Sequence, residues 1–464
     1  MKKTDLINKD TICAISTPVG QGAIHIVRLS GKNTRQIAGK VFRFANKEQT
    51  FRTIEPRIMY YGKVCAAREV VDEACLVYFK SPHTYTSEDL VEIYLHGNYM
   101  IAHKVVQLLA DRGARLAEKG EFTKRAFLNG RIDLSQAEAV NDLITAKTEF
   151  GVKVAIDKLQ GRLSREMHEL RQKIVAILSE IEAFVDFPDE DIEVHSRTEI
   201  GDAIHDVLKV IDALRSSYEH GAILRDGIRT VIVGKPNVGK SSLLNTLIKR
   251  DRALVSEIPG TTRDALEELI DINGILFRII DTPGMRRGKD KLETLSIERS
   301  RVYFAEGQLF IMVLDGSCPL TNGDTKIFKQ IADKQVIFVI NKSDLPAKIT
   351  DYDIKQWGKR STIITVSTRT RAGIPALEKK LVSCMWRGQI DHDDFMITSE
   401  RQFDILTKMQ KSLRHAVDAF QTRASLEFLA FDLREALDHL AAIVGEVCGD
   451  DILDVVFSKF CIGK

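Results

Sequence analysis

At mid-chain the sequence reads Gly234-Lys235-Pro236-Asn237-Val238-Gly239-Lys240-Ser241. In such a stretch the glycines let backbone N–H groups approach phosphate oxygens, the Lys240 ammonium reaches the outer phosphates, and the Ser241 hydroxyl can ligate magnesium. A β-branched run, residues 230–233, precedes the stretch, and Ser242-Leu243-Leu244-Asn245 begins a helix, so the anion meets a helix N-terminus. The stretch therefore predicts a strand, a phosphate-binding loop and a helix within an α/β sheet.

Around this loop, strand-like runs alternate with helical segments, which is the pattern of a doubly wound sheet. The runs cover residues 230–233, 277–280, 309–314, 336–340 and 363–366. In such sheets, ligands bind at the carboxyl ends of the strands. We therefore expect a ligand site at that edge of the sheet.

Motifs of a guanine-nucleotide site follow the loop in the order that the chemistry requires. Thr262 offers a hydroxyl to magnesium, Asp281 a carboxylate near the metal, and Gly284 an N–H to the γ-phosphate. Asp344 can accept both the N1 and the N2 hydrogens of guanine, and adenine has no matching donor pair. The sequence therefore predicts binding of GTP. The predicted nucleotide-binding residues from these motifs are Asn237, Val238, Gly239, Lys240, Ser241, Ser242, Gly260, Thr261, Thr262, Asp281, Thr282, Pro283, Gly284, Asn341, Lys342, Asp344, Ser367, Thr368 and Arg369.

The hydrolytic machinery departs from that of small GTPases. Those proteins carry a water-orienting glutamine directly after the Asp-x-x-Gly motif, and this chain has Met285 there. Because methionine cannot orient water, another group has to do so. No arginine finger can be identified, since Arg286 and Arg287 nearby fit surface charges equally well. Asn237 either holds a monovalent cation that supplies the missing positive charge or stabilises the loop by a hydrogen bond.

Bulk composition indicates a folded chain without a strong global charge. There are 67 Lys and Arg against 65 Asp and Glu, so any RNA contact has to come from a local patch. The seven cysteines form no CxxC pair, which is typical of a reduced, cytoplasmic protein. No run of about 18 apolar residues occurs, so we expect no membrane anchor.

Proline positions and helical periodicity divide the chain into four segments. Residues 1–120 contain strand-like runs at 23–29, 75–79 and 90–95 and predict an α+β domain. Apolar residues recur at helical spacing over residues 159–185 and 406–440, on both sides of the nucleotide segment. We therefore predict a helical domain in two parts with a nucleotide domain inserted into it. The predicted boundaries are 1–120, 121–221, 222–384 and 385–464.

Several stretches outside the nucleotide motifs carry a resemblance to one family. They are Thr17-Pro18-Val19-Gly20-Gln21-Gly22, Val27-Arg28-Leu29-Ser30-Gly31, residues 92–97, residues 120–130, Asp186-Phe187-Pro188-Asp189-Glu190 and the final Phe460-Cys461-Ile462-Gly463-Lys464. With them the chain closely resembles, nearly end to end, the MnmE (TrmE) family of tRNA-modifying GTPases. The resemblance implies a multidomain α+β and α/β fold. Its parts are an N-terminal folate-binding and dimerisation domain, a discontinuous helical domain, and an inserted Ras-like P-loop G domain.

The resemblance also implies roles for individual residues. A one-carbon tetrahydrofolate is expected at Arg28, Glu92, Arg131 and Lys464. Potassium is expected at the Asn237 side chain and at the carbonyl oxygens of Ser256, Ile258 and Thr261, and Glu257 and Pro259 belong to the same nucleotide-binding segment. Glu293 is expected to orient water and to act in catalysis with Lys240. Cys461 is either a catalytic thiol or a small buried hydrophobic residue.

The activity that the resemblance implies is modification of carbon 5 of the wobble uridine in certain tRNAs, which installs a carboxymethylaminomethyl-type group. The expected partner is the flavoprotein MnmG (GidA), which carries FAD and forms a heterotetramer with the homodimer of this chain. Magnesium and potassium would serve GTP hydrolysis, and the G domains would pair across the nucleotide.

Two other classes of GTPase share the nucleotide motifs. A ribosome-assembly GTPase of the Era or Der type would carry an RNA-binding appendage, and the flanking helical blocks contain neither a GxxG clamp nor a basic stripe. A membrane-remodelling GTPase would carry a basic amphipathic anchor, which the sequence also lacks. Both alternatives are therefore disfavoured.

Overall fold

The computed structural model describes residues 10–186, 197–250, 267–281, 304–357, 362–386, 396–422 and 425–464. The chain forms two compact units, each assembled from separate segments. Unit 1 comprises residues 1–144, 156–212 and 404–464, and unit 2 comprises residues 145–155 and 213–403. No helix among the described residues is long and apolar enough to cross a membrane.

Unit 1 begins with a seven-stranded sheet. Its strands are β1 (Ile12–Ile15), β2 (Ile24–Ser30), β3 (Phe42–Phe44), β4 (Met59–Ala66), β5 (Glu69–Phe79), β6 (Leu90–His96) and β7 (Arg115–Leu116), in the order β3-β4-β5-β6-β2-β1-β7. All neighbouring strands are antiparallel except β1 and β7. The three predicted strand runs in this domain are confirmed as parts of β2, β5 and β6.

The two faces of this sheet differ because side chains alternate along each strand. In β2, Val27 and Leu29 are buried in the core together with residues of α1 (Thr34–Val41) and α2 (Tyr99–Asp111). Ile24, Ile26 and Arg28 point to the other face, where Ile24 is exposed. The sheet is thus covered by helices on one face and more open on the other.

The helical part of unit 1 comes from two chain segments. Its helices are α3 (Glu121–Leu128), α4 (Leu134–Thr145), α6 (Arg162–Asp186) and α7 (Arg197–Ser216), and from the C-terminal segment α13 (Glu400–Gln421), α14 (Leu426–Val444) and α15 (Asp450–Ser458). The predicted stripe at 159–185 is confirmed as α6, which packs against α14. Helix α5 (Glu149–Leu159) connects α4 to α6. The helical domain is therefore discontinuous, as the periodicity predicted.

Unit 2 contains a six-stranded sheet of the predicted doubly wound type. Its strands are β8 (Ile228–Val233), β9 (Glu267–Ile272), β10 (Ile275–Asp281), β11 (Leu309–Asp315), β12 (Val336–Asn341) and β13 (Thr362–Thr365), in the order β13-β12-β11-β8-β10-β9. Helices α8 (Tyr218–Asp226), α9 (Lys240–Arg250), α10 (Asn322–Lys329), α11 (Asp351–Lys355) and α12 (Ile374–Met385) accompany it. Neighbouring strands are parallel except β9, which pairs antiparallel with β10 at one edge. All five predicted strands of this sheet are confirmed, and β9 was not predicted.

Candidate functional site

The phosphate-binding loop connects the end of β8 to the start of α9 at Lys240. Gly234 has a φ of +146°, and a Cβ there would lie 2.4 Å from the Val313 carbonyl oxygen. Gly239 has a φ of +101°, and a Cβ there would lie 2.2 Å from the Asn341 side-chain nitrogen. Only glycine fits at these two positions, because the loop is packed against the ends of β11 and β12.

The functional side chains of the loop differ in their surroundings. Lys240 is 8% exposed, and its ammonium donates hydrogen bonds to the carbonyl oxygens of Gly234 at 2.8 Å and Lys235 at 2.6 Å. Ser241 and Ser242 are exposed in the first turn of α9. The exposed Asn237 has a φ of +65° and, within the described part of the chain, makes no side-chain hydrogen bond.

Asn341 connects the phosphate-binding loop to the loop after β13. Its side-chain nitrogen donates to the Val238 carbonyl oxygen at 2.9 Å, and its side-chain oxygen accepts from the Thr368 N–H at 3.1 Å. The residue is 1% exposed, so both hydrogen bonds are shielded from water. Asn341 thus fixes the relative positions of the two loops that carry predicted phosphate and base contacts.

Asp344 lies at the same edge of the sheet. One of its carboxylate oxygens, Oδ1, accepts a hydrogen bond from the Ser367 hydroxyl at 2.6 Å, and this bond holds the pKa of the Asp344 carboxyl below its usual range. The exposed Arg369 lies 4.0 Å from the other oxygen, Oδ2. Lys342 turns away and pairs with Asp315 at 2.6 Å. An ionised carboxylate at this edge of the sheet is suited to accept the N–H groups of guanine.

Most of the remaining predicted nucleotide-site residues lie outside the described part of the chain. Asp281 is the last residue of β10, whose register places it opposite Ile232 of β8. The other predicted residues of this group lie outside the described residues: Ser256, Glu257, Ile258, Pro259, Gly260, Thr261, Thr262, Thr282, Pro283, Gly284 and Glu293, together with Met285, Arg286 and Arg287.

A second group of predicted residues meets on the open face of the N-terminal sheet. Arg28 forms an ion pair with Glu92 at 2.7 Å, and the Tyr94 hydroxyl donates to the same carboxylate at 2.8 Å. Burial, followed by this hydrogen bond, raises the pKa of the Tyr94 hydroxyl to about 12. The Arg28 guanidinium also lies 5.5 Å from the centre of the Tyr85 ring.

Arg131 and Lys464 complete this group. The Arg131 guanidinium lies 4.9 Å from the centre of the Tyr85 ring and donates to the Tyr85 carbonyl oxygen at 2.8 Å. Burial lowers the pKa of the Lys464 ammonium, Arg28 lowers it further, and Cys461 and Glu92 oppose the shift. We call Arg28, Glu92, Arg131 and Lys464 the tail cluster. Tyr85 was not predicted, because it belongs to none of the motifs in the sequence.

Lys464 reaches the cluster because residues 461–464 dock beside α3. The Gly120 N–H donates to the Cys461 carbonyl oxygen at 3.4 Å, and the Phe122 N–H donates to the Lys464 main-chain oxygen at 3.2 Å. Gly463 has a φ of +94°, and a Cβ there would lie 2.2 Å from the Ile15 carbonyl oxygen. The Cys461 side chain is exposed, so the alternative of a small buried hydrophobic residue is wrong.

A buried charge network supports the helix to which these residues dock. Arg125 of α3 is 5% exposed and pairs with Asp10 at 2.6 Å, Glu121 at 2.9 Å and Glu88 at 3.2 Å. Since a buried cation is tolerated only when it is paired, Asp10 and Glu88, which lie outside α3, hold this helix against the segments that precede β1 and β6, and Glu121 pairs with Arg125 within the helix. The network gives a structural role to Glu121 and Arg125, two residues of the 120–130 stretch.

Comparison with known proteins identifies the family. The model for the GTP-binding protein TrmE N-terminus matches residues 11–131, and the model for the MnmE helical domain matches residues 134–461. The chain is 41% identical over 459 residues to the tRNA modification GTPase MnmE of Clostridioides difficile, which covers 98% of this chain and 99% of that protein. This chain belongs to the MnmE family. The MnmE of Thermoanaerobacter pseudethanolicus is 42% identical over 458 residues, with the same coverage.

Membership of the MnmE family decides the broad function. The chain is a GTPase of the tRNA-modification class, and both its N-terminal and helical segments match MnmE-family models. The Era-type and membrane-remodelling alternatives are therefore not supported. Among solved structures, Era of Aquifex aeolicus bound to GDP and AlF4⁻ matches 39% of this chain and 65% of that chain, at 26% identity and a TM-score of 0.27.

Proposed function

We propose that this chain is a potassium-activated GTPase that, with the flavoprotein MnmG (GidA), installs a carboxymethylaminomethyl-type group at carbon 5 of the wobble uridine of certain tRNAs in the cytoplasm. The observation that carries the proposal is the docking of residues 461–464 into the tail cluster of a chain that also has a phosphate-binding loop. The names of the MnmE relatives support tRNA as the substrate. GTP hydrolysis then serves a conformational cycle, and FAD belongs to MnmG.

The tail cluster suits a one-carbon tetrahydrofolate derivative. The Glu92 carboxylate is oriented by Arg28 and Tyr94 and can accept N–H groups of a pterin ring. The cations Arg28, Arg131 and Lys464 suit the carboxylates of the folate glutamate. The bound folate would supply the carbon unit. We assign Cys461 as a catalytic thiol, and its exposed position beside the cluster supports this assignment.

The nucleotide site suits magnesium, potassium and GTP. We assign magnesium to the hydroxyls of Ser241 and Thr262, and potassium to the Asn237 side chain and the carbonyl oxygens of Ser256, Ile258 and Thr261. Lys240 would neutralise charge on the outer phosphates, and Glu293 would orient the attacking water. The support for the potassium site is that Asn237 is exposed at a positive φ with its side-chain amide uncommitted within the described residues.

Replacing potassium by sodium at constant ionic strength should lower GTP turnover by roughly 10²-fold, because the cation takes the place of an arginine finger in stabilising transition-state charge. Initial rates of phosphate release in the two chloride salts measure this effect. Asn237→Ala should remove the difference between the salts while leaving GTP binding measurable. Equal wild-type rates in both salts would remove the cation from the mechanism.

The open face of the N-terminal sheet supports a homodimer. Ile24, Met59 and Tyr61 are 55%, 56% and 52% exposed and line one shallow pocket on this face with Tyr94. Exposed apolar side chains grouped on a sheet are typical of a protein interface. We propose that two copies pair through this face, that their G domains meet across the nucleotide, and that the dimer binds MnmG as a heterotetramer.

Gly463→Ala should abolish tRNA modification and leave GTP turnover within about twofold of wild type. The added Cβ would lie 2.2 Å from the Ile15 carbonyl oxygen, so residues 461–464 would have to leave their docked position. The matched control is Gly113→Ala, which also has a positive φ, +109°, but whose Cβ would have no atom within 4 Å. Nucleoside analysis of tRNA and GTPase assays of both variants give the result. Full modification with Gly463→Ala would show that tail docking is not required.

A further inference from the structure

A groove on the N-terminal domain is lined by cations that neither the nucleotide site nor the tail cluster uses. It lies between α1, β3 and the loop that follows β3, and its volume is about 570 Å³. Four cationic side chains line it, which are Arg35, Lys40, Arg43 and Lys47. Phe44 and Phe51 lie among them, half-buried. We call this feature the basic groove.

The positive charge of the basic groove is concentrated, and no carboxylate in the described part of the chain pairs with its three exposed cations. Residues 32–57 contain seven Lys and Arg and two Glu, although the whole chain has a formal charge of only +2. Within the described residues, Lys40, Arg43 and Lys47 form no ion pair. Lys40 donates to the Arg112 carbonyl oxygen at 3.3 Å, and Arg43 to that of Gly39 at 3.0 Å. These carbonyl contacts leave the charges unneutralised, so an anionic ligand would bind favourably.

The floor of the basic groove is rigidly built. Phe44 contacts Phe42 and Phe51, each with ring centres 5.2 Å apart. Arg35 donates a hydrogen bond to the Phe51 carbonyl oxygen and lies 4.9 Å from the centre of the Tyr78 ring. A Cβ at Gly39 would lie 3.2 Å from the Phe51 ring, so the loop packs closely onto α1. The groove is therefore preorganised, and ligand binding would not incur the entropic cost of ordering its side chains and loop.

We propose that the basic groove binds the sugar–phosphate backbone of tRNA, an inference that rests on the proposed function and adds an RNA contact to it. Three exposed cations along one groove are suited to successive phosphates. The amide side chains of Gln36, Asn46 and Gln49 line the same groove and can bond phosphate oxygens and ribose 2′-hydroxyls. The half-buried rings of Phe44 and Phe51 add a surface on which an unpaired base can stack. An acidic protein would use the cations but would have less need of the amides.

The test compares three variants of the full chain for binding to unmodified tRNA transcripts that have uridine at the wobble position. The groove variant is Lys40→Ala/Arg43→Ala/Lys47→Ala. A charge-matched control, Lys326→Ala/Lys329→Ala/Lys379→Ala, removes three exposed lysines of unit 2. A charge-preserving variant, Lys40→Arg/Arg43→Lys/Lys47→Arg, separates charge from folding. Affinity is measured over a series of salt concentrations, with GTP turnover and thermal unfolding as checks on folding.

The groove variant should bind tRNA about tenfold or more weakly than wild type. The slope of log affinity against log salt concentration should fall in magnitude by about three, because each lost phosphate contact lowers that slope by about one. The other two variants should bind like wild type. If the groove variant bound tRNA with the affinity and salt dependence of wild type, the inference would be overturned. If that variant also failed to restore tRNA modification in cells, the groove would be assigned to an acidic protein instead. Absence of salt-dependent tRNA binding by the wild-type chain would also overturn it. Failure of the proposed function would appear separately, as an unchanged nucleoside profile in cells that lack the chain.

Discussion

Lys240→Ala should lower GTP turnover by roughly 10²- to 10³-fold, which is the usual cost of losing one preorganised group that stabilises transition-state charge. Lys240 is the first residue of α9, is 8% exposed, and is held by two main-chain carbonyl oxygens of the loop. Its ammonium is therefore positioned before the nucleotide arrives. Steady-state phosphate release at saturating GTP, with magnesium and potassium present, measures the loss.

The matched control for this variant is Lys235→Ala, in the same loop. The Lys235 ammonium pairs with Asp324 at 2.8 Å and contacts the Thr321 hydroxyl at 3.0 Å, so it is committed to α10 rather than to the loop interior. We expect its turnover to remain within a few-fold of wild type, because this ammonium points away from the loop interior and the buried Asp324 carboxylate keeps its hydrogen bonds from the Thr321 N–H and hydroxyl. Comparable losses in the two variants would mean that the loop as a whole is damaged and that Lys240 has no special role.

Asp344→Asn should change the preferred nucleotide from GTP to XTP, with GTP affinity falling by roughly 10³-fold or more because a site built for hydrogen bonds rejects a base that cannot make them. The Ser367 hydroxyl donates to Oδ1 of Asp344, so the amide oxygen of asparagine would remain at that position. The amide nitrogen would then take the position of Oδ2. With GTP bound, this donor would face the N2 amino group of guanine, which is also a donor, so no hydrogen bond would form. With XTP bound, it would face the O2 oxygen of xanthine, which is an acceptor, and a hydrogen bond would form.

Competition of GTP and XTP against a fluorescent guanine nucleotide measures the switch, and XTP turnover serves as the internal control for folding. A variant that hydrolyses XTP but binds GTP weakly has kept the fold and changed only the base contact. If Asp344→Asn still preferred GTP, guanine would have to be recognised by another residue, and the assignment of residues 341–344 would fail.

The apolar strands of unit 2 could be predicted because their side chains are buried on both faces, which gives uninterrupted runs such as residues 309–314. Strand β9 was missed because Glu267, Glu268 and Asp271 interrupt its apolar residues, which is typical of an edge strand with one exposed face. The long helices α6 and α14 could be predicted because their buried residues recur at helical spacing.

The arrangement of the tail cluster could not be predicted from physical patterns alone. The contact of Gly120 with Cys461 joins residues more than 300 positions apart, and only the family resemblance connected Lys464 with Arg28. The basic groove was missed for a related reason, since its cations are spread over a helix, a strand and a loop that no single periodicity unites. The roles of Glu293 and of residues 256–262 lie outside the described residues and stay predictions.

Nucleoside analysis of total tRNA from cells that lack this chain tests the proposed tRNA modification directly. It should be repeated after complementation with the wild-type chain and with Lys240→Ala. We expect carboxymethylaminomethyl-type substituents at carbon 5 of the wobble uridine to disappear from these cells, the wild-type chain to restore them, and the Lys240→Ala chain not to restore them. An unchanged nucleoside profile in the cells without the chain would contradict the proposed role in wobble-uridine modification.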